Sequence, residues 1–176
     1  TGCAGGKGGS MHLIDINAGL IAAVPIVGST IPIGVGLAWA NRLDKSKRIV
    51  VIFFGEGATE EGVFYESINF AALPNLPVLF VCENNLFSVY SNLNKRQPKT
   101  RKIFNVAKSM GIESVNLNGN DVEKIFLETK NIVKNIRYNK KPFLMELSTY
   151  RFLEHCGPNN DDNLNYRSKK EIAYWK

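Results

Sequence analysis

Cysteine and histidine are scarce in this sequence. The three cysteines stand at positions 3, 82 and 156 without a pairing pattern, and the two histidines are His12 and His155. An odd, scattered set of cysteines indicates reduced thiols rather than a disulfide framework. We therefore expect a cytosolic protein.

A long uninterrupted apolar run is also missing. Residues 16–41 carry no charge, which raises the question of a membrane span. Prolines and glycines break this stretch too often for an ordinary spanning helix: Pro25, Gly28, Pro32, Gly34 and Gly36. We expect no membrane association, but a loop through residue 27 and then a buried helix over 29–43, whose small residues let another helix approach closely.

The common nucleotide-binding motifs are absent. The glycine-rich segment 5–10 resembles a phosphate loop, but glycine follows Lys7 where serine or threonine is required. The two Gly-x-Gly pairs, at 34–36 and 55–57, lack the third glycine of the dinucleotide fingerprint. These patterns exclude a Walker-type site and an ordinary dinucleotide site.

The net charge of +6 does not by itself indicate a nucleic-acid partner. Five basic residues crowd one loop, and such runs bind nucleic acid in some proteins: Lys95, Arg96, Lys99, Arg101 and Lys102. No aromatic stacking platform accompanies them. We therefore expect a solvated loop and no nucleic-acid partner.

What the sequence does contain predicts a doubly wound α/β fold. A chain of 176 residues with 44% hydrophobic content supports one core, and there is no internal repeat. Apolar runs alternate with helical periodicity, which is typical of a parallel sheet with covered faces and right-handed crossovers. The predicted strands cover 48–54, 78–82, 113–117 and 143–147, and the predicted helices 29–43, 60–73, 102–110 and 121–137.

Polar residues follow the predicted strands where ligands bind in such sheets, beyond the carboxyl ends. Glu56 follows the first strand, Asn85 the second, Gly119–Asn120 the third and His155 the fourth. A carboxylate and an amide are hard oxygen ligands suited to magnesium. The helix start predicted near Thr59 offers bare backbone amides to phosphate. We therefore predict a site for a metal-bound diphosphate.

Taken singly, these motifs have simpler explanations. A turn between strand and helix needs glycine for conformational reasons alone, and a lone histidine is most often structural. His12 fits that explanation as well as a functional one. Only the combination of motifs therefore indicates a functional site.

That combination resembles a known family. Gly55-Glu56-Gly57-Ala58 followed by Asn84-Asn85 resembles the thiamine-diphosphate motif. The flanking segments resemble the α subunit of the 2-oxo-acid dehydrogenases of the pyruvate, branched-chain and acetoin types, in order along nearly the whole chain: 8–13, 26–28, 82–85, 118–121 and 147–151. The chain stops at Trp175-Lys176, where the pattern indicates a new helix. We interpret residues 1–176 as a single thiamine-diphosphate-binding domain, a fragment of a longer α subunit.

The resemblance implies roles for individual residues. The Glu56 carboxylate, the Asn85 side chain and the backbone carbonyl of Phe87 would hold Mg²⁺. Gly55, Gly57, Ala58 and Asn85 would bind the diphosphate, and Val27 would pack on the thiamine. His155 would contact the diphosphate and donate a proton near the 2-oxo acid.

Departures from the family pattern limit what carries over. Many members have aspartate at position 56, and glutamate resembles the branched-chain variant. Pro25 replaces the usual glycine or serine, and a second histidine is missing near Leu153. Cys156 stands where some relatives carry a phosphorylated serine, so that regulation is not expected.

The implied activity is thiamine-diphosphate-dependent oxidative decarboxylation of a 2-oxo acid, pyruvate-type, with acyl transfer to lipoamide. The implied partners are a β subunit in an α2β2 heterotetramer, which supplies the glutamate that activates the aminopyrimidine, and a lipoyl acyltransferase. The location would be the bacterial cytoplasm, or the mitochondrial matrix or a plastid in a eukaryote.

Two alternatives stay open. One is another thiamine-diphosphate enzyme, such as an acetoin dehydrogenase, a non-oxidative decarboxylase or a ketol transferase. A decarboxylase or ketol transferase would lack the Tyr150-Arg151…His155 loop. The other is a non-catalytic homologue used in assembly, which would lack a metal ligand; Glu56, Asn85 and His155 are all present.

Overall fold

A four-stranded parallel sheet lies at the centre of the structure, a computed structural model that describes residues 5–9 and 11–175. Residues 1–4, 10 and 176 lie outside the described part, and with them Cys3 and one residue of the 8–13 segment. Along the chain the elements are α1 (Thr30–Leu43), β1 (Val50–Gly55), α2 (Gly62–Ala72), β2 (Val78–Asn84), β3 (Phe87–Ser88), β4 (Ser91–Asn92), α3 (Leu93–Arg96), α4 (Ile103–Ser109), β5 (Glu113–Asn118), α5 (Val122–Asn139), β6 (Phe143–Ser148) and α6 (Lys169–Trp175). Short 3-10 turns occupy Ile16–Ala18, Glu56–Glu60 and Asp162–Leu164.

The sheet has the order β1-β2-β6-β5, with every neighbouring pair parallel. Helices α1, α2 and α4 pack on one face, and α5 packs on the other through Ile132 and Ile136. Each such buried aliphatic side chain contributes roughly 1.5–3 kcal/mol. Helices on both faces confirm the predicted doubly wound α/β fold.

Strand β1 departs from the expectation that every strand is covered on both faces. Ile52 and Phe54 are buried under α1 and α2, but Val51 is 42% exposed and Phe53 is 61% exposed on the opposite face. The strand lies at the edge of the sheet, and α5 covers only the strands beyond it. Within the described residues, β1 is therefore covered on one face only.

Helix α1 approaches the sheet closely at a glycine. A Cβ atom at Gly34 would lie 2.4 Å from Cγ1 of Ile52, so only glycine allows the helix to lie this close to β1. The close neighbour at Gly34 is thus a strand, not the helix that the sequence predicted. Helices α1 and α2 also contact each other, and the ring centroids of Trp39 and Phe70 are 5.5 Å apart.

The long elements agree with the sequence, and the differences are local. Asp121 caps α5 as predicted, with its Oδ1 accepting from the Lys124 amide at 3.0 Å. Helix α2 begins at Gly62 rather than near residue 60, because residues 56–60 form a 3-10 turn first. The β3–β4 hairpin and α3 were not predicted. Within the described ranges, no helix has the length and apolar character needed to cross a membrane.

Candidate active site

The carboxyl ends of the four strands meet at one edge of the sheet. In the register, Gly55 stands beside Glu83, and Ser148 stands beside both Asn84 and Asn118. Because β1 and β2 are neighbours, Glu56 and Asn85 leave the sheet side by side. This confirms the predicted convergence of these two residues.

A cavity of about 1240 Å³ opens beside this edge. All eight residues predicted for the site line it: Val27, Gly55, Glu56, Gly57, Ala58, Asn85, Phe87 and His155. His12, Gly119 and Asn120 are not among the lining residues. The structure therefore brings the predicted residues together, while their individual roles stay predictions.

Glu56 is buried, with 2% of its surface exposed, at the first position of the 3-10 turn. Its Oε1 accepts a hydrogen bond from Nη2 of Arg96 at 2.6 Å. Burial raises the pKa of the Glu56 carboxyl above its ordinary value, while the hydrogen bond and charge of Arg96 act in the opposite direction. Arg96 thus compensates part of the free energy lost when this carboxylate leaves water.

The two arginines of the basic loop turn inward, so the expectation of a wholly solvated loop is wrong for them. Arg96 also pairs with Glu60, and Arg101 donates from Nη2 to the Thr59 carbonyl at 2.9 Å. The three lysines of the same loop are exposed. The residue types could have indicated this difference between the arginines and the lysines, because the planar guanidinium suits fixed pairing with carboxylates and carbonyls better than the lysine ammonium does.

The side chains of Asn84 and Asn85 make their hydrogen bonds in two different places. Oδ1 of Asn85, at the cavity, accepts from the Phe87 amide at 2.9 Å. Asn84 is buried; its Oδ1 accepts from the Leu86 amide at 3.0 Å, and its Nδ2 donates to Oε1 of Glu146 at 2.7 Å. An amide oxygen has two lone pairs, so the Oδ1 atom of Asn85 retains capacity for a metal ion.

Glu146 supports the asparagine turn, and this role was not predicted from the sequence. It is buried in β6, and its Oε2 also accepts from the Phe104 amide of α4 at 3.1 Å. One carboxylate therefore ties the asparagine turn to both β6 and α4. The acidic residue within an otherwise apolar predicted strand could have indicated this role, because a buried charge requires partners.

The turn at Gly57 lies against the β3–β4 hairpin. A Cβ at Gly57 would stand 3.1 Å from Oγ of Ser88 and 3.8 Å from Nη1 of Arg96. The amides that the sequence assigned to the start of a helix belong to the 3-10 turn, because α2 begins later, at Gly62. Glycine at this position lets the turn lie close against the hairpin.

His155 lies on the loop after β6, and a buried ionic network holds that loop. Asp161, 2% exposed, accepts from Nη2 of Arg167 at 2.5 Å and from the Tyr166 hydroxyl at 2.6 Å. Burial, reinforced by the hydrogen bond to Asp161, raises the pKa of Tyr166 to about 12.

The same network contacts the hairpin that carries Phe87. The Tyr166 ring packs edge-on against Phe87, with centroids 5.1 Å apart. Nη2 of Arg151 donates to the Val89 carbonyl at 2.8 Å. The His155 loop and the Phe87 hairpin are therefore fixed relative to each other.

The donor set fits a magnesium ion that is shared with a phosphate ligand. Among residues 5–9 and 11–175 there is no group of three or more His, Cys, Asp or Glu side chains placed to hold a metal. The cavity instead brings together the three predicted ligand residues, which would supply one carboxylate, one amide and one backbone carbonyl. Magnesium is usually held by one or two carboxylates together with phosphate oxygens, rather than by an all-protein cage.

Comparison with known proteins agrees with this geometry. Residues 1–176 match the model of the dehydrogenase E1 component family. Among curated relatives, a pyruvate dehydrogenase E1 component subunit alpha from Rickettsia typhi is 39% identical over 176 residues, which are 100% of this chain and 53% of that protein. A mitochondrial subunit of the same name from Sminthopsis macroura is 35% identical over 171 residues, covering 97% of this chain and 45% of that one. The chain spans about half the length of the curated relatives it matches.

Solved structures support the fold. A transketolase of Pichia stipitis has a TM-score of 0.61 at 22% identity, covering 72% of this chain and 20% of its own. An enzyme of Mycobacterium smegmatis assigned to the thiamin-diphosphate-dependent class has a TM-score of 0.58 at 20% identity, covering 74% of this chain and 24% of its own. The fold is that of thiamine-diphosphate-dependent enzymes, as the sequence predicted.

Proposed function

Because the chain belongs to the dehydrogenase E1 component family, we propose that it is part of the α subunit of a pyruvate-type 2-oxo-acid dehydrogenase. The complete enzyme would decarboxylate the 2-oxo acid oxidatively and transfer the acyl group to lipoamide. One observation carries the proposal: a buried carboxylate, a half-buried amide and a glycine turn converge on one cavity with a histidine.

The chain's own residues would bind and orient a magnesium–thiamine-diphosphate complex. Glu56, Asn85 and the Phe87 carbonyl would hold Mg²⁺, and the Gly57–Ala58 turn, together with Gly55, would face the diphosphate. Val27 would contact the thiamine from the apolar side of the cavity. Thiamine diphosphate, when bound, supplies the ylid for the covalent chemistry, and the protein supplies orientation and electrostatics.

His155 would serve as the proton donor. Its imidazole lines the same cavity as the metal ligands and is exposed to it. Histidine is the side chain most often used in general acid–base catalysis. The ionic network behind it would hold the loop that carries the imidazole.

A partner subunit would complete the site. Glu56 is the only carboxylate among the described residues that line the cavity, and Arg96 already pairs with it. No second acid is available there to activate the aminopyrimidine. A β subunit in an α2β2 assembly would supply it, and a lipoyl acyltransferase would accept the acyl group. We place this assembly in the bacterial cytoplasm, or in a mitochondrial matrix or plastid.

An activity assay with and without the partner tests the proposal. The full-length subunit is purified alone and together with its β subunit. Each preparation is then supplied with Mg²⁺, thiamine diphosphate and an artificial electron acceptor, and with pyruvate, a branched-chain 2-oxo acid or acetoin. We expect turnover of pyruvate by the assembled α and β subunits and not by the α subunit without its partner. Robust turnover by the α subunit without its partner would overturn the shared site, and a preference for acetoin would move the enzyme to another type within the family.

A further inference from the structure

Arg96 engages a single oxygen of Glu56. Its Nη2 lies 2.6 Å from Oε1, and among the described side chains none donates to Oε2. The buried carboxylate thus has one oxygen held by a cation of the protein and one available to another cation.

The guanidinium is fixed from three sides. Besides Glu56, Arg96 pairs through Nη1 with Glu60 and donates from Nε to the Ser91 carbonyl at 3.2 Å. Its side chain is 14% exposed. The helix that carries it is capped by Asn92, whose Oδ1 accepts from the Asn94 amide at 2.9 Å. Arg96 therefore holds Oε1 in a defined position rather than in a mobile surface pair.

One-oxygen coordination matters because metal ions differ in their use of carboxylates. Magnesium requires near-ideal octahedral geometry with six oxygens, whereas calcium takes six to eight oxygens and readily accepts both oxygens of one carboxylate. The guanidinium takes one lone pair of Oε1 and sets a positive charge beside that oxygen, which suits one-oxygen binding of magnesium through Oε2 and disfavours the two-oxygen mode of calcium.

We propose that Arg96 is a positioning residue that restricts Glu56 to one-oxygen coordination and so favours Mg²⁺ over Ca²⁺ at this site. The inference rests on the proposed function, because it assumes that Glu56 is a metal ligand. It assigns to Arg96 a part in metal selection distinct from cofactor binding itself.

The ratio of the Mg²⁺ and Ca²⁺ affinities separates an effect of coordination geometry from an effect of charge. Removing Arg96 leaves Glu56 and Glu60 without their shared cation, which raises the attraction for any divalent ion. Since Mg²⁺ and Ca²⁺ carry the same charge, this change affects both affinities alike and cancels in their ratio. Only a change in coordination mode alters the ratio.

The test is calorimetric titration of Mg²⁺ and of Ca²⁺ into the full-length subunit assembled with its β partner, with thiamine diphosphate present. Wild type is compared with Arg96→Gln and with the control Lys95→Gln. Lys95 is the exposed neighbour of Arg96 on the same helix, so its variant loses the same charge without touching Glu56. We expect the ratio Kd(Ca²⁺)/Kd(Mg²⁺) to fall about 10-fold in Arg96→Gln, the lower end for groups that support a metal ligand, and to stay at the wild-type value in Lys95→Gln.

Arg96→Lys provides a second test should the glutamine variant fail to assemble. Lysine keeps the charge but lacks the rigid fork, so we expect a smaller fall in the ratio. An unchanged ratio in either arginine variant that assembles overturns the inference and leaves the proposed function intact. A wild-type assembly that binds neither metal overturns the proposed function, and this inference with it.

Discussion

The two walls of the cavity differ in how completely this chain builds them. The polar wall consists of the 56–58 turn, Asn85, the β3–β4 hairpin and the His155 loop, and hydrogen bonds and ion pairs connect its parts. The apolar wall consists of residues 16–28 with Val51 and Phe53, whose side chains are largely exposed. Within the described residues, the parts of the polar wall hold one another, whereas the apolar wall exposes a hydrophobic surface of the kind that a further segment or a partner covers.

This difference indicates that the two walls meet different structural requirements. The residues proposed to hold a metal and a diphosphate lie on strand ends backed by buried polar partners, as accurate positioning of ligands requires. The residues proposed to cover the organic part of the cofactor and to meet another subunit would need apolar surface, and the apolar wall exposes such surface. Substitutions in the two walls should therefore have different effects.

The largest expected effect is on catalysis at the polar wall. His155→Ala should lower turnover of the assembled enzyme by about 10²- to 10⁴-fold, the usual range for a lost general acid or base, with much less change in cofactor affinity. Steady-state kinetics and calorimetry on the same preparation measure both. His12→Asn is the control, since His12 is not among the residues that line the cavity and asparagine tolerates its positive φ of 59°. Near-normal turnover in His155→Ala would reduce that residue to a structural part of the loop.

Two adjacent phenylalanines compare the two faces of β1 directly. Phe54 is buried in the core, so Phe54→Ala should lower the free energy of unfolding by about 3–5 kcal/mol. Phe53→Ala should lower it by less than about 1 kcal/mol in the unassembled subunit, because 61% of Phe53 is already exposed, and should weaken association with the β subunit. Denaturation and sedimentation measure the two quantities. Equal losses of stability in the unassembled subunit would mean that the rest of the same subunit covers this face.

The Glu146–Asn84 hydrogen bond supports the polar wall from behind. Glu146→Gln leaves one acceptor for two buried donors, Nδ2 of Asn84 and the Phe104 amide. The free energy of unfolding should therefore fall by about 1–3 kcal/mol, as denaturation of the full-length subunit would measure.

The exchanged pair is the matched control. In the double variant Asn84→Asp/Glu146→Gln, the amide at 146 donates to the carboxylate at 84, while both backbone donors keep their acceptors. Most of the lost stability should return. A double variant as unstable as the sum of its two single variants would show that this hydrogen bond does not hold the turn.

The smallest effect is a pH dependence in the network behind His155. The pKa of Tyr166 is about 12 in the folded chain, against 10.0 for an ordinary tyrosine. Between these values the unfolded chain releases the hydroxyl proton and the folded chain keeps it, so stability from this group is full below pH 10 and is lost as pH rises toward 12. Tyr166→Phe should make the alkaline loss of stability shallower, and Tyr138→Phe, at an exposed tyrosine, should not. Identical slopes in the two variants would contradict the role of Tyr166.

The fold and the strand-end residues were predictable because their signals are local and repeated. Apolar runs marked β1, β2 and β6, and helical periodicity marked α2 and α5. Glu56 and Asn85 could be brought together because strands in a parallel sheet end at one edge. The family resemblance supplied the roles of Phe87 and Val27, which no local pattern suggests.

What the sequence did not reveal depends on contacts between distant positions or on very short elements. The β3–β4 hairpin and α3 contain too few residues for periodicity to register. The contact of Arg96 with Glu56 spans 40 positions, and that of Asn84 with Glu146 spans 62. The exposed face of β1 was also not predicted, because the sequence of an apolar strand at the edge of a sheet has the same pattern as that of a central strand.

The central claim is that the polar wall binds a magnesium–diphosphate complex, and Asn85→Ala tests it most directly. Asn118→Ala is the matched control: Asn118 also ends a strand and caps a backbone amide two residues ahead, that of Asn120, but it lies outside the cavity. Calorimetry of thiamine diphosphate binding to the assembled full-length enzyme, at saturating Mg²⁺, should show affinity about 10- to 100-fold weaker in Asn85→Ala and unchanged in Asn118→Ala. Equal cofactor affinity in Asn85→Ala and wild type would contradict the account.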